Sequence, residues 1–509
     1  MKKYNVVWIL VDSVRTYYST DDRSRIEIMD KFSKECIEFT NVITSAPSTV
    51  MSVSSMMTSI PAFYLGRNYN DFRFDRNYFP SLTSILNNTG WESKAIVMVP
   101  EIREKLTVLD LLEKKYWPKG YSHKDDWNNK DIFNILQNAL KSGNSSKEKK
   151  PIFWFLDFNC RQDKNTSKIV EETIDILERN DYNKENTIFV LCSDHGYPDP
   201  SSGITPEILK KKKLTHDMFM TDDNIMIPLI FSYPGCQKNL KISNLSSSLD
   251  IMPTILDLLG INISDQIKNQ WFGKSLLENL KKDQSENLNI NRNIRVDARF
   301  LGQDRRVTAV RNNQNKLLYF HDKKKYELFV VGKSHLDEKQ IDINNNLKIF
   351  NELKKEFKRS EISALKFQVD YSIHKLKNEL KILKNVKKIL ILYNNKSMSD
   401  ILRETLEELY KDIEISNMYI NNFKKNVDEK YDILFVFDDV LNKDRINLIK
   451  KIKFKKKFYI DINMNLSIKT GNIIRYLKTI YYNRRFYYQE PSLVFWKIKQ
   501  IIKTIFKKN

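Results

Sequence analysis

Three short stretches of this chain place residues capable of polar chemistry at or near the end of a buried strand. Asn5-Val6-Val7-Trp8-Ile9-Leu10-Val11 is a continuous apolar run closed by Asp12, and open α/β sheets hold their ligands just beyond the carboxyl ends of such strands. Ser193-Asp194-His195-Gly196 follows a second run, Thr187 to Cys192. A carboxylate and an imidazole leaving a strand together form an oxygen-plus-nitrogen donor set suited to Mn²⁺, Zn²⁺ or Mg²⁺, and less to Ca²⁺, which prefers oxygen alone. Between them lies Thr44-Ser45-Ala46-Pro47-Ser48-Thr49-Val50-Met51-Ser52-Val53-Ser54-Ser55-Met56-Met57-Thr58-Ser59, rich in hydroxyls and methionines. A hydroxyl at a helix N-terminus sits in positive potential, which supports an attacking alkoxide and an incoming anionic ester; Thr49 is the candidate. His216, beside Asp217, is a second imidazole that could move a proton. Singly these signals are weak, because a strand-end aspartate more often caps a helix and a hydroxyl-rich turn is often capping chemistry alone.

The elements that must position these residues are legible as strand-length apolar runs alternating with helical patterns through about 345 residues: Val6 to Val11, Ala95 to Val99, Ile152 to Leu156, Thr187 to Cys192 and Ile227 to Phe231. Runs that are apolar throughout, and not at every second position, predict strands buried on both faces of a mostly parallel sheet. Helices must then cover both faces, and Ser81 to Leu86 and Ile169 to Glu178 carry the required spacing. Residues 346–385 turn helical and highly charged and read as a connector. A small Rossmann-like α/β lobe is expected over 386–470, from strands at Lys388 to Tyr393, Tyr431 to Phe437 and Phe458 to Ile462 and a helix at Ser399 to Tyr410. Asn394-Asn395-Lys396-Ser397 after its first strand is no Gly-rich phosphate loop, so nothing supports nucleotide binding there.

The formal charge is +21, and from Lys451 onward there are 15 Lys and Arg against 2 acids. An anionic partner is expected, and contact with it should be concentrated in that tail. On a helix, Phe495, Ile498, Ile502 and Ile505 share one face with lysines around the rest, the form of an interfacial helix, so 471–509 is read as a basic amphipathic tail touching a membrane surface or else as an ordinary packing helix. No nucleic-acid reader motif accompanies the charge. The cysteines (Cys36, Cys160, Cys192, Cys236) are far apart with no metal-finger spacing, which predicts reduced thiols. No apolar stretch reaches the ~18 residues needed to cross a bilayer, and the run at the start is too short for a signal peptide's core and cleavage site. Together these predict a cytoplasmic protein, peripheral to the inner face of the membrane if the tail binds there.

The motifs, in order, resemble those of the sulfatases of the alkaline phosphatase superfamily. Asn5 to Arg15 is similar to their opening metal-binding strand, and Phe39-Thr40-Asn41 through Thr58 to their nucleophile segment, whose register against Met56-Met57-Thr58-Ser59 selects Thr49. Ser193-Asp194-His195-Gly196 resembles the second metal motif, and Asp250-Ile251-Met252-Pro253-Thr254-Ile255-Leu256-Asp257 their Asp-x-x-Pro-Thr-x-x-Asp helix. Similar segments continue to Phe329, so the resemblance covers about residues 5 to 345. It implies a mixed sheet sandwiched by helices over 1–345, with the connector and C-terminal lobe outside it. It also implies one divalent ion (Mn, Zn, Mg or Ca) held by Asp12, Thr49, Asp194 and His195. Thr49 would attack the ester, His216 would assist the leaving or incoming oxygen, and Arg15 or Arg161 would bind ester oxygens through a planar donor fork.

Departures from the family pattern narrow the branch. Thr49-Val50-Met51-Ser52-Val53 lacks the Cys or Ser that becomes formylglycine, and also the Pro and Arg that follow it. Threonine in this slot resembles the phosphoethanolamine and phosphoglycerol transferases. The second Asp of the opening motif is Ser13, and Asp157-Phe158-Asn159-Cys160-Arg161-Gln162 lacks the usual Asp-x-His. The expected function is a metal-dependent hydrolase or transferase of phosphoric or sulfuric esters, of a glycan or lipid-linked intermediate, through a Thr nucleophile. The rival from another class is a catalytically inactive sulfatase-like scaffold or binding protein.

Overall fold

The computed structural model describes residues 2–61 except 20 and 22, then Tyr64, 79–97, 114–116, 129–141, 150–159, 163–200, 216–277, 292–299 and 306–380 except 322 and 333; beyond these it describes 387–393, 403, 406–407, 413–419, 430–437, 453–460 and 466–467. The chain divides into two compact units, Met1–Ile362 and Ser363–Asn509. The helix expected as a connector runs Leu347–Leu380. The tail 471–509, Cys160, Arg161 and the stretch after Tyr393 lie outside the described residues.

The first unit is built on a nine-stranded sheet. Its strands are β1 (Asn5–Asp12), β2 (Ile37–Ile43), β3 (Glu92–Val97), β4 (Lys114–Tyr116), β5 (Ile152–Asn159), β6 (Thr187–Cys192), β7 (Met226–Ser232), β8 (Leu240–Ile242) and β9 (Ser246–Ser247). They lie in the order β4-β3-β5-β1-β6-β7-β2-β8, with β9 also on β2. The half containing β4, β3, β5, β1 and β6 is parallel. β7 runs antiparallel to both β6 and β2, so the sheet is mixed where the apolar runs alone predicted mostly parallel pairing. β1 is central, and Val6 to Val11 are each at most 1% exposed, because helices cover both faces and no position faces water. Val7, Ile9 and Val11 pack with Trp154, Leu156, Phe189 and Leu191 from the flanking strands and with Val170 and Leu177 from the helix Asp163–Arg179. Each side chain so buried contributes ~1.5–3 kcal/mol, enough together to fix where β1 and β6 end. Those ends carry the chemistry.

A second, antiparallel sheet runs in sequence order: β10 (Ile294–Arg299), β11 (Arg306–Arg311), β12 (Asn315–Phe320), β13 (Lys325–Val330) and β14 (Lys339–Ile341). One of its faces packs Val296, Ala309 and Leu318 against Ile43, Ile225 and Met226 of the main body. The other packs Val310, Leu317 and Leu328 against Leu353 and Phe357 of the long helix.

The second unit holds a five-stranded sheet in the order β16-β15-β17-β18-β19, formed by β15 (Lys388–Tyr393), β16 (Glu414–Tyr419), β17 (Lys430–Phe437), β18 (Lys453–Ile460) and β19 (Leu466–Ser467). The first four are parallel. β16 is a strand that the sequence pattern did not reveal, and it adds beside β15. That gives the doubly wound order expected of a Rossmann-like lobe.

Candidate active site

Asp12 is the last residue of β1, and Asp194 and His195 follow the neighbouring β6 by two and three residues. Thr49 opens the helix Thr49–Thr58, whose N-cap Ser48 is extended. These separate stretches meet. Thr49 Oγ1 donates to Asp12 Oδ1 at 3.1 Å and lies 3.2 Å from His195 Nε2. His195 Nε2 is 3.4 Å from Asp194 Oδ2 and 3.9 Å from Asp12 Oδ1. Asp12, Asp194 and His195 each offer a ligand atom within 4.8 Å of the others.

The surrounding backbone holds this geometry. Ser13 sits at φ 63°, a left-handed conformation that a short polar residue tolerates better than most. In that pose its N–H donates to Asp194 Oδ1 and its hydroxyl to Asp12 Oδ1. His195 N–H also donates to Asp194 Oδ1, at 2.9 Å. On the helix Thr49–Thr58 Ser52 donates to the Asp194 carbonyl at 2.7 Å, as does Thr44 from the preceding loop. Part of the hydroxyl-rich sequence therefore serves to lock the loop after β6 onto that helix. Gly196 is required by contact: a Cβ there would lie 2.1 Å from the Asp223 carbonyl oxygen.

The donor set fits a divalent cation. His195 Nδ1 is 2.6 Å from the Gly196 carbonyl, which can only accept, so Nδ1 carries the hydrogen and Nε2 turns its lone pair toward the carboxylates. Asp194 Oδ2 is buried with no hydrogen-bond partner. Burial pushes the Asp194 carboxyl up; His195 opposes this and Asp12 adds to it. An unsatisfied buried carboxylate oxygen facing a second carboxylate and an imidazole lone pair is costly without a cation and favourable with one.

His216 comes to the cluster edge. Its ring stacks on His195 at 4.7 Å and lies 5.2 Å from Tyr197, and its Nε2 is 2.8 Å from Asp217 Oδ1. Burial acts to raise the Asp217 carboxyl, but His216 more than reverses it and holds the group below the ordinary value. Asn224 fixes this turn by donating to the carbonyls of His216 and Phe219. Asp217 was visible in the sequence as His216's neighbour, but nothing there marked it as the imidazole's partner.

Arg15 is not placed as the sequence suggested. Its guanidinium is fully buried and bidentate to Asp21 at 2.6 and 2.8 Å, with the rest of its donors on Ser19 Oγ and the carbonyls of Tyr197 and Pro198. All five N–H groups have acceptors, so none is left for an ester oxygen. Arg15 instead ties the loop after β1 to the loop after β6. The arginine that this loop does bring to the cluster is Arg23, whose Nη1 is 3.8 Å from Asp12 Oδ2.

Asp12, Asp194 and His195, brought together at the ends of neighbouring strands with Thr49 at a helix start beside them, thus lie on a mixed sheet sandwiched by helices. The Sulfatase family model matches residues 4–101 and 117–261, and the model for the N-sulphoglucosamine sulphohydrolase C-terminal region matches 212–363. The chain belongs to the sulfatase family of the alkaline phosphatase superfamily. Among curated relatives, arylsulfatase K of Bos taurus is 30% identical over 100 residues, 20% of this chain and 17% of that protein. Choline-sulfatase of Rhizobium meliloti is 30% identical over 96 residues, 19% of this chain and 16% of that protein. The chain thus spans less than a fifth of the length of either. Among solved structures, a 2-O GAG sulfatase has a TM-score of 0.55 at 16% identity, covering 71% of this chain and 93% of its own. A phosphonate monoester hydrolase from Silicibacter pomeroyi also has a TM-score of 0.55, at 12% identity, covering 71% and 95%. At these identities the structural likeness shows the fold.

Proposed function

We propose that the protein is a metal-dependent hydrolase of sulfuric esters, acting on an anionic, sulfated glycan-type substrate, with Thr49 Oγ1 as nucleophile. The observation that carries this reading is the convergence of Thr49 Oγ1 with Asp12 and His195 at 3.1 and 3.2 Å, beside the unsatisfied Asp194 Oδ2. The sulfate-ester assignment draws on the family and on relatives named as sulfatases, and the glycan class on the neighbour named as a GAG sulfatase.

Asp12, Asp194, His195 and the Thr49 oxygen would hold the cation, which when bound would supply Lewis acidity and lower the pKa of the Thr49 hydroxyl. Thr49 donates its hydrogen toward Asp12 Oδ1, the direction in which its proton leaves as the oxygen attacks. The N-terminal end of the helix Thr49–Thr58 adds positive potential where charge develops on the ester. His216, held by Asp217, serves as the proton donor to the departing oxygen, and water attacking the sulfur of the resulting Thr49 ester breaks its bond to Thr49 Oγ1, releasing sulfate and restoring the hydroxyl.

One observation favours a second reading. Residue 49 is threonine and cannot become formylglycine, so the covalent adduct would have to be released by outside attack, which suits phosphoryl transfer to an acceptor. Paired aryl sulfate and aryl phosphate esters separate the two: hydrolysis of the sulfate, lost in Thr49→Ala, is expected, and a clear phosphate preference would replace the sulfate reading with phosphoryl transfer. A metal-loaded wild type that turns over neither ester would favour the inactive scaffold.

A further inference from the structure

Among the described residues Cys36, Cys192 and Cys236 are free thiols. Cys192 lies inside β6, fully buried, and its sulfur accepts from Trp8 Nε1 at 3.2 Å. Cys36 and Cys236 are far apart in the sequence, yet the topology of the main sheet brings them to one end of β2.

β7 and β8 lie on opposite sides of β2. β7 runs antiparallel to it with Phe231 opposite Ile37, and β8 runs parallel with Leu240 opposite the same Ile37. The chain between Ser232 and Leu240 therefore has to cross the start of β2, and Cys36 is the residue just before that start. One more step of the β2–β7 register sets Cys36 opposite Ser232, where paired Cα atoms are about 5 Å apart. The crossing opens with a tight turn in which Cys236 N–H donates to the Tyr233 carbonyl at 2.9 Å, a turn that keeps Cys236 within about 7 Å of Tyr233, the neighbour of Ser232. It closes with Leu240 N–H donating to the Cys36 carbonyl at 3.2 Å. Between these points Lys238 Nζ is 3.4 Å from Oε2 of Glu35, which precedes Cys36. Both flanks of Cys236 are thus fastened to the segment that carries Cys36. The electrostatics agree with that placement: burial pushes the Cys36 thiol up to about 11, and Cys236 adds to the rise while Ser232 and Lys184 oppose it.

We propose that Cys36 and Cys236 form a reversible disulfide that staples the β7–β8 crossing to the start of β2 under oxidising conditions. This stands on the fold and is independent of the ester-site reading. The order of events follows from exposure, since Cys36 is fully buried and Cys236 half-buried. The Cys236 thiolate attacks one sulfur of an outside disulfide such as oxidised glutathione, whose S–S bond breaks and releases one glutathione thiol. Cys36 then loses its proton to water and attacks the Cys236 sulfur, releasing the second glutathione. Two protein S–H bonds are lost, one S–S bond forms, and one glutathione disulfide is reduced to two thiols. Because the link closes a long stretch of chain, it restricts the unfolded state far more than the native one.

The test uses the full chain in reduced or oxidised glutathione at about pH 8.5, near the ordinary thiol value, quenched in acid and digested without reduction for peptide mapping. Oxidised wild type is expected to yield a peptide pair joined through Cys36 and Cys236, undone by dithiothreitol, together with a melting temperature above that of the reduced protein. Cys36→Ala should stop with glutathione held on Cys236, Cys236→Ala should leave Cys36 unmodified, and neither should show the rise in melting temperature on oxidation. Folded wild type that ends with glutathione on Cys236 and no linked pair, or with both thiols unreacted, overturns the proposal. So does a linked pair that forms only in urea, or one that leaves the melting temperature unchanged or lower. Wild type and Cys236→Ala decide the matter by themselves should Cys36→Ala fail to fold.

Discussion

Two buried charge clusters in the first unit, one around Asp194 and one around Asp222, are built from similar residues and do opposite things. Asp222 is bidentate to Arg311 and bonded to Lys316 at 2.9 Å, and Lys316 also pairs with Glu338 and donates to the Met220 carbonyl. Its carboxylate charge is answered by protein cations, and it ties β11 and β12 to the segment before β7. Asp194 has backbone donors on Oδ1 and nothing on Oδ2, with Asp12 and His195 turned to the same point. Buried charge by itself marks nothing; buried charge left unanswered, with several lone pairs aimed at one place, marks a ligand.

This contrast can be broken, and the largest expected effect is on turnover. Thr49→Ala should lower kcat by about three orders of magnitude or more while leaving the fold and the metal content in place, as read by steady-state kinetics alongside metal analysis. An active Thr49→Ala enzyme would remove the nucleophile assignment. Next comes stability. Asp222→Ala strands two buried cations and should cost about 3–5 kcal/mol in urea unfolding, with no effect on bound metal per folded chain. Asp194→Ala should do the reverse, abolishing metal binding while costing the metal-free protein less stability than Asp222→Ala does, since only the N–H donors of Ser13 and His195 lose their acceptor.

Metal removal sharpens the same point by a smaller amount. A cation at a hundred times its dissociation constant stabilises the native state by about 2.7 kcal/mol, so chelation should lower the melting temperature of wild type and of Asp222→Ala, and leave Asp194→Ala unmoved in differential scanning calorimetry. Smallest is the acid limb of stability. Burial acts to raise the Asp222 carboxyl, but Lys316 and Arg311 more than reverse it and hold the group below its ordinary value. A carboxyl lowered on folding contributes stability that is fully present above the unfolded value of about 3.9 and is lost as pH falls through the folded value. Urea midpoints should therefore drop below about pH 4, and the drop should be shallower in Arg311→Met; an unchanged slope would detach Asp222 from acid unfolding.

The sequence disclosed what continuous burial makes obvious. β1, β5, β6 and β7 have no water-facing side, so their composition is apolar throughout, and the residues just past their ends stand out by contrast; Asp12, Asp194 and His195 were legible for that reason. β2 was hidden because Glu38, Thr40 and Asn41 interrupt it, Glu38 being buried against Arg25. The antiparallel sheet was hidden because its strands carry charges that are satisfied only in three dimensions, such as Arg295 on Asp297 and Lys316 on Asp222. Arg15 shows the limit most plainly: it follows Asp12 by three residues in the sequence, and only the folded position of Asp21 reveals that its guanidinium is spent on the scaffold.

The central claim, one cation shared by Asp12, Thr49, Asp194 and His195, is tested most directly by anomalous diffraction from crystals of the protein soaked in Mn²⁺. The account predicts a single strong peak within about 2.0–2.6 Å of Asp12, Asp194 Oδ2, His195 Nε2 and Thr49 Oγ1. Crystals that diffract well and show no peak there, or show it with Thr49 turned away and outside the coordination sphere, would contradict it.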